Sequence, residues 1–207
     1  MIEYIDFHTH KPTAEGVITP RSFGIHPWEC ESEGAKSYEE FAKKYRDAFT
    51  HADIIGECGL DKICKTDWER QREVFEWQTK MAEELRKPMV IHCVRAYNEV
   101  MDIRLKTIKK DKAVPQWVVH GFGGGMQMAE QLWKAGILVS FGAALTDNKR
   151  EKVRNTLRDI ELPFMLETDT SPIGIEEIYA EAAKIKNIDI EVLSNTIKEN
   201  YLSLYNK

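Results

Sequence analysis

Two histidines near the start of the chain, His8 and His10, have the spacing of a shared ligand pair. Side chains alternate faces along a strand, so residues two apart point the same way, and two such imidazoles can hold one ion. The apolar run Ile2–Phe7 lies directly before them and predicts the strand that they end. A pair of polar residues at a strand end is the simpler interpretation, and the case for a ligand pair depends on the rest of the sequence.

Further residues of metal-ligating type follow other apolar runs. The carboxyl ends of all strands in a (β/α) barrel meet at one face, where active sites are built. Residues that end such strands are therefore expected to lie together with the histidine pair in one pocket at that face. The residues at or just after the ends of apolar runs are His26, Glu57, His92, His120 and Asp169.

The number of donors predicts more than one ion. A catalytic zinc site uses three protein ligands and a water, whereas two-metal sites clamp the attacking and leaving oxygens of a displacement, most often at phosphorus. With imidazoles, carboxylates and no thiolate, zinc, manganese, iron, cobalt and magnesium are all compatible. The sequence therefore predicts two divalent metal ions bridged by a carboxylate, and Glu57 and Asp169 are the two anions among the candidates.

Short apolar runs alternate with helix-length segments, which predicts βα repeats around parallel strands. The chain is thus expected to be α/β, a compact TIM-type (β/α) barrel. Between His10 and Arg21 there is no room for a full helix, so the second βα unit must be shortened or distorted. An open doubly wound sheet is the alternative, but its Gly-x-Gly-x-x-Gly fingerprint is not in the sequence. The runs are Ile2–Phe7, Gly16–Thr19, Arg21–Ile25, Asp53–Gly56, Met89–Ile91, Trp117–Val119, Ile137–Phe141 and Phe164–Leu166.

Two helix starts are predicted from capping boxes. Ser37-x-x-Glu40 and Thr66-x-x-Glu69 each place a hydroxyl three residues before a glutamate. Apolar residues at helical spacing follow the second box and recur near the end of the chain. These stripes predict helices that dock on a sheet. Their members are Val74, Trp77, Met81 and Leu85, and then Ile190, Leu193, Ile197, Tyr201 and Leu204.

Composition limits the classes of protein. The 207 residues, 43% of them apolar, suit one domain over residues 1–207. A net charge of −5 gives no whole-molecule basic field to attract nucleic acid. The four scattered cysteines are typical of reduced thiols. The first residues lack the basic start and apolar run typical of a signal peptide, and no stretch approaches the roughly 20 apolar residues of a membrane span. We therefore expect a cytoplasmic protein without a membrane span, and a monomer is assumed.

Six motifs, in one order along nearly the whole chain, carry a family resemblance. They are Ile5-Asp6-Phe7-His8-Thr9-His10, Gly24-Ile25-His26-Pro27-Trp28, Gly56-Glu57-Cys58-Gly59-Leu60-Asp61, Ile91-His92-Cys93, His120-Gly121-Phe122 and Glu167-Thr168-Asp169. With them the sequence resembles the TatD-like metal-dependent hydrolases, a branch of the amidohydrolase-type TIM barrels associated with deoxyribonuclease activity. The chain departs from the family pattern in three places, one of which is Val94-Arg95-Ala96 where the family has Arg-Asp-Ala after His-Cys. Only Lys11–Ser22 separates the first two motifs, and the long loop usual after the last motif is absent.

The resemblance implies how the two ions are held. Glu57 would bridge them. His8, His10 and Asp169 would hold one ion, and His92 and His120 would hold the other.

The resemblance also implies catalytic roles. Asp169 would activate the water, Glu57 would act with it, and His26 would face the scissile phosphate. Arg95 and Lys62 come just past two ligand strands, where a cation can bind a phosphate. A solvated loop residue or an ion pair at a helix start is the alternative interpretation of each cation.

Trp28 and Phe122 follow two of the motifs, where an aromatic ring can stack on a base as in single-strand binders. Packing within the loops is the simpler interpretation of both rings.

The sequence thus predicts a divalent-metal-dependent hydrolase of phosphoester bonds, of the TatD-like deoxyribonuclease type, that uses a metal-activated water on DNA ends or nucleotides. One alternative is a hydrolase of a small amide, lactone or cyclic ester with the same metal site, since barrels of this kind host many chemistries. The other is a metal-binding protein without catalysis.

Overall fold

The computed structural model describes residues 2–110 and 115–205, and of residues 109 and 110 only the backbone. In this part of the chain, eight strands and seven α-helices are present. The strands are β1 (Tyr4–Ile5), β2 (Val17–Ile18), β3 (Ser22–Phe23), β4 (Ile54–Asp61), β5 (Met89–Val94), β6 (Trp117–Val119), β7 (Ile137–Phe141) and β8 (Phe164–Leu166). The helices are α1 (Tyr38–His51), α2 (Trp68–Leu85), α3 (Tyr97–Lys110), α4 (Met126–Lys134), α5 (Glu151–Asp159), α6 (Ile175–Lys186) and α7 (Ile190–Ser203).

Parallel pairing of strands in chain order confirms the α/β class. β1 pairs with β2, and the other strands follow one another in a second sheet in the order β3-β4-β5-β6-β7-β8. Between His10 and Arg21 the chain forms only the two-residue β2 and no helix. The predicted shortening of the second βα unit is therefore confirmed.

Two compact units divide the chain. The first, here called the terminal unit, consists of Met1–Pro20, Val119–Lys134 and Leu138–Asn206. The second, here called the central unit, is mainly Arg21–Val118 with Ala135–Ile137. That residues 1–207 form one functional domain stays a prediction.

In the terminal unit, side chains of the last two helices fix the short strand β1. The buried Tyr179 hydroxyl on α6 accepts from Ile5 N at 3.2 Å and donates to Ile5 O at 3.1 Å. Ser194 on α7 donates to Glu3 O at 2.6 Å. These bonds satisfy backbone groups that a two-residue strand leaves unpaired, and the chain therefore enters the following histidine motif from a fixed position.

In the central unit, two buried glutamines of α2 hold the backbone at the ends of β3 and β4. Gln78 accepts from Ile25 N at 2.7 Å and donates to Ile25 O at 3.0 Å. Gln71 accepts from Asp61 N at 2.8 Å and donates to Asp61 O at 3.1 Å. The two glutamines are seven residues apart, so they share one face of the helix. That face thus positions the chain just before His26 and just after Glu57.

The helix starts confirm one of the two predicted caps. Ser37 Oγ accepts from Glu40 N at 3.3 Å and begins α1 as predicted. The prediction of Thr66 as the second cap was wrong, because Asp67 accepts from Arg70 N at 2.9 Å and begins α2 one residue later. A carboxylate at this position both caps the amide and suits the positive end of the helix dipole.

None of the helices in the described residues combines the length and the apolar character that crossing a membrane needs.

Candidate metal centre

In the terminal unit, the segment after β8 pairs with the segment after β1 through an isolated parallel bridge. Asp169 N donates to His8 O at 2.9 Å, and His10 N donates to Asp169 O at 3.2 Å. Thr9 and Asp169 are thus bridge partners. Asp169 has a φ of 51°, in the left-handed region that aspartate adopts more readily than most residues. This backbone pairing brings the Asp169 carboxylate to the histidine motif.

The Asp169 carboxylate lies close to several imidazoles. Its Oδ1 atom is 3.5 Å from His10 Nε2 and 4.0 Å from His8 Nε2. The rings of His8 and His120 are 4.8 Å apart between centroids. Donor atoms of His8, His120 and Asp169 all lie within 4.8 Å of one another. We call these three residues, with His10, the terminal cluster.

Asp6 and Thr168 support the backbone of the terminal cluster. Asp6 Oδ1 accepts from Thr168 N at 2.8 Å, and Asp6 Oδ2 accepts from Thr168 Oγ1 at 2.6 Å. Burial raises the pKa of the Asp6 carboxyl. Since Thr168 directly precedes Asp169 and Asp6 lies two residues before His8, these bonds join the two segments that carry the ligands.

Glu167 lies behind His120 in the same unit. Its carboxylate is fully buried, accepts from Gly121 N at 2.5 Å and lies 3.5 Å from His120 Nδ1. Burial by itself raises the pKa of Glu167. The hydrogen bond and charge of His120 and the charge of His8 have the opposite and larger effect, so the pKa lies below its usual value. A carboxylate behind an imidazole fixes the ring orientation and tautomer of a metal ligand. Sequence reasoning missed this residue.

In the central unit, Glu57 lies between two imidazoles. Its Oε1 atom is 2.6 Å from His92 Nδ1 and 3.2 Å from His26 Nε2. The two rings are 4.4 Å apart between centroids. Donor atoms of His26, Glu57 and His92 all lie within 4.8 Å of one another. We call these three residues the central cluster.

Close backbone packing around β4 positions the central cluster. A Cβ atom on Gly24 would lie 2.5 Å from Gly56 Cα, and one on Gly59 would lie 2.0 Å from His92 O. Only glycine allows such approaches. The register of the ladder between β4 and β5 shifts between Ile55 and Cys58, where Glu57 lies. Glu57 and His92 were predicted to end their strands, but both strands continue, to Asp61 and to Val94.

The hydrogen bonds of His26 define its neutral tautomer. Its Nδ1 atom accepts from Trp28 N at 3.3 Å, at the start of a 3-10 turn over Pro27–Glu29. The proton of the neutral ring therefore lies on Nε2, which faces Glu57. This N–H can donate to an anionic oxygen, which suits the predicted position of His26 at a phosphate.

Asp61 connects the central cluster to an aromatic side chain. Asp61 Oδ2 accepts from Trp28 Nε1 at 2.8 Å and lies 3.4 Å from His92 Nε2. Burial by itself raises the pKa of Asp61, but the hydrogen bonds from Trp28, the Ile63 amide and His92 outweigh it, so the pKa is below its usual value. Sequence reasoning missed Asp61, although it lies four residues after Glu57 on one strand, and side chains two apart on a strand share a face.

The two predicted phosphate-binding cations follow the paired ends of β4 and β5. Lys62 Nζ lies 2.5 Å from Glu99 Oε1, so the predicted alternative of an ion pair describes its contacts. Arg95 is exposed, with a φ of 54°. A phosphate role for either residue stays a prediction.

The donors in both clusters fit divalent transition-metal ions. Such ions bind imidazole nitrogen and carboxylate oxygen at about 2.0–2.2 Å, so an ion can lie among donors about 3–4 Å apart. Each cluster contains a carboxylate and two imidazoles whose donor atoms lie within 4.8 Å of one another. The residues present therefore fit the metal that the sequence predicts. The number and identity of the ions, and the role of Glu57 as a bridge, stay predictions.

Comparison with known proteins identifies the family. A family model described as TatD related DNase matches residues 13–206 of the chain. The chain belongs to the TatD family. The resemblance that the six motifs indicated is thereby confirmed, and several TatD relatives of this chain are named metal-dependent hydrolases.

Two relatives illustrate the range of TatD proteins. An uncharacterized metal-dependent hydrolase of Methanocaldococcus jannaschii is 28% identical over 165 residues, which cover 74% of this chain and 62% of the relative. A Homo sapiens protein named 3'-5' RNA nuclease TATDN2 is 29% identical over 208 residues, 89% of this chain and 26% of the relative. The chain thus spans less than two thirds of the length of each.

Solved structures of TatD proteins confirm the predicted TIM-type barrel. The TatD homologue YjjV of Escherichia coli matches with a TM-score of 0.76 and 21% identity, over 94% of this chain and 79% of that one. A TatD family hydrolase of Entamoeba histolytica matches with a TM-score of 0.72 and 18% identity, over 92% of this chain and 75% of that one. At these identities the likeness concerns the fold.

Proposed function

We propose that this chain is a divalent-metal-dependent phosphodiesterase that hydrolyses nucleic-acid ends or nucleotides with a water as nucleophile. One observation carries the proposal: the terminal cluster and the central cluster each hold a carboxylate and two imidazoles with donor atoms within 4.8 Å of one another. The TatD related DNase model and a relative named an RNA nuclease support phosphodiester substrates over other esters.

The residues of the chain have distinct tasks in this proposal. His8, His120 and Asp169, whose donor atoms lie together, would hold one ion with His10. Glu57 and His92 would hold another, so this assignment differs from the division that the resemblance implies, in which His120 is paired with His92. Bound divalent ions supply Lewis acidity that lowers the pKa of water and offsets charge at phosphorus. Asp169 accepts the proton of the attacking water, and His26 donates its Nε2 proton as a hydrogen bond to a phosphate oxygen. Arg95 and Lys62 bind flanking phosphate.

The proposal is tested with metal-stripped protein to which Mg²⁺, Mn²⁺ or Zn²⁺ is restored. Substrates are a labelled single-stranded DNA, a labelled single-stranded RNA and panels of small amides, lactones and cyclic esters. Hydrolysis of either nucleic acid is expected, with an Asp169→Asn variant about 10²- to 10⁴-fold slower, as for loss of a general base. His51→Ala is the matched control, because His51 is an exposed histidine in the last turn of α1.

Each alternative has its own outcome in that test. Hydrolysis confined to amides, lactones or cyclic esters would replace the proposal with the small-substrate alternative. Bound metal without turnover of any substrate would favour a metal-binding protein.

A monomeric state and a cytoplasmic location stay predictions.

A further inference from the structure

Trp28 combines large exposure with a fixed side chain. Its residue surface is 64% exposed, the largest exposure among the exposed large apolar side chains of the described residues. Its indole N–H nevertheless donates to a nearly buried carboxylate, Asp61 Oδ2, at 2.8 Å. An exposed tryptophan leaves a large apolar surface in contact with water, which is unfavourable. The hydrogen bond to Asp61 nevertheless holds Trp28 in this exposed position.

The anchoring of Trp28 continues into the core of the central unit. Its backbone N–H donates to His26 Nδ1 at 3.3 Å, and the preceding Pro27 restricts the 3-10 turn. Asp61 is itself held by the buried Gln71, which bonds both its backbone N–H and its C=O. A ligand that covers such a ring loses little free energy to ordering it.

The position of the ring determines what can lie against it. Its centroid is 4.7 Å from the His26 ring and 6.2 Å from the His92 ring, both in edge-to-face geometry. These imidazoles belong to the central cluster. A group that stacks on the indole therefore lies next to the central cluster and close to a phosphate bound there.

Building on the proposed function, we propose that Trp28 is a stacking subsite for a nucleobase of the nucleotide whose phosphate binds at the central cluster. Every base has a π-face, so an aromatic platform accepts all bases. The net charge of −5 offers little attraction for a polyanionic backbone. Stacking supplies affinity that does not depend on charge, and it requires an unpaired base, as at a single-stranded end.

Binding tests the subsite without turnover. The probes are a short phosphorothioate oligothymidylate, which resists hydrolysis, and the same backbone with abasic terminal nucleotides, each titrated against metal-loaded protein by fluorescence anisotropy. Trp28→Leu is expected to weaken binding of the base-bearing probe by about 5- to 150-fold, the range for loss of one base–aromatic stack. Binding of the abasic probe should stay unchanged. Trp28→Phe keeps a ring without the N–H and should remain within a few-fold of the original protein.

Equal weakening of both probes in Trp28→Leu would overturn the subsite, because the loss would then not depend on a base. So would unchanged binding of both probes. Intrinsic fluorescence gives a second reading: the base-bearing probe should quench the emission of the original protein, and Trp28→Phe should lose that quenching although the other tryptophans remain. Thermal unfolding curves of both variants verify that they are folded.

Hydrolysis assays separate this inference from the proposed function. Cleavage of oligothymidylate with the same rate loss in Trp28→Leu on base-bearing and abasic substrates would overturn the subsite and leave the phosphodiesterase in place. Base-dependent binding through Trp28 without cleavage of any nucleic acid would overturn the phosphodiesterase and leave the subsite in place.

Discussion

Thr168 Oγ1 donates a 2.6 Å hydrogen bond to Asp6 Oδ2 across 162 positions of the chain. Both residues are buried. Each lies beside residues of the terminal cluster, Asp6 two positions before His8 and Thr168 one before Asp169. A bond between two side chains that bind no metal in our assignment thereby sets the relative position of residues that do.

Thr168→Val tests this bond. Valine has nearly the shape of threonine but leaves a buried carboxylate oxygen of Asp6 with one donor fewer, which costs about 1–3 kcal/mol. We expect a corresponding loss in the free energy of unfolding, measured by urea denaturation at neutral pH. Thr168→Ser retains the hydroxyl and should lose less. Equal stability of the valine variant and the original protein would contradict the assignment.

Gln78→Leu tests how α2 positions the chain before His26. The buried amide of Gln78 satisfies both backbone groups of Ile25, and leucine satisfies neither, at about 1–3 kcal/mol for each group left unpaired. Urea denaturation should show this loss, and affinity for a divalent ion, measured by calorimetry, should fall with it. Gln127→Leu, at an exposed glutamine of α4, is the control. A loss of equal size in the control would refute the explanation.

Gly59→Ala tests the close approach of β4 to β5. Gly59 has a φ of 149°, and an added Cβ atom would lie 2.0 Å from His92 O. The strain of an unsuitable φ alone costs about 1–3 kcal/mol, and the clash adds to it, so a melting temperature well below that of the original protein is expected. At Gly123 an added Cβ atom meets nothing within 4 Å. Gly123→Ala should therefore melt close to the original protein.

Removal of metal should lower stability as well as activity. Ions that bind only the folded chain stabilise it by about 2.7 kcal/mol at a free concentration 100 times their dissociation constant. A chelator should therefore lower the melting temperature of the original protein. His8→Ala and His92→Ala should each bind fewer ions by elemental analysis and show a smaller chelator effect, whereas His51→Ala should behave like the original protein. A chelator effect that is unchanged in both ligand variants would place the metal elsewhere.

The Arg21–Asp53 pair gives a pH dependence with a definite sign. Arg21 donates through Nε, Nη2 and its backbone N–H to the Asp53 carboxylate. These bonds lower the pKa of Asp53 in the folded chain. The stabilisation is therefore complete above the unfolded pKa of about 3.9 and is lost as the pH falls through the lower folded value.

Asp53→Asn should therefore melt below the original protein at about pH 7, and the difference should narrow as the pH falls towards about 3. Asp47→Asn, on the exposed surface of α1, serves as the control. If the difference in melting temperature between Asp53→Asn and the original protein stays constant from neutral to acid pH, the charge of Asp53 is not responsible for it.

The sequence by itself determined the fold class and the family. Trp117–Val119, Ile137–Phe141 and Phe164–Leu166 were predicted to the residue, because buried strands need continuous apolar runs. His8 and His10 were predicted to end a strand that runs to Phe7, but β1 ends at Ile5, and their role as metal ligands stays a prediction. The absence of a helix before Arg21 was predicted from the length of chain available. The strand positions follow from local periodicity, the missing helix from chain length and the family from short motifs, and the sequence alone contains all three.

The tertiary structure alone decided the partners of those ligands. Glu167 behind His120, Asp61 between Trp28 and His92, and the bond from Thr168 to Asp6 join residues far apart in sequence. The position of Glu57 within β4, where the register shifts, also depends on the neighbouring strand. Hydrogen-bond partners of buried polar groups are selected by packing in three dimensions, and no local pattern records which distant backbone or side chain will lie within about 3 Å.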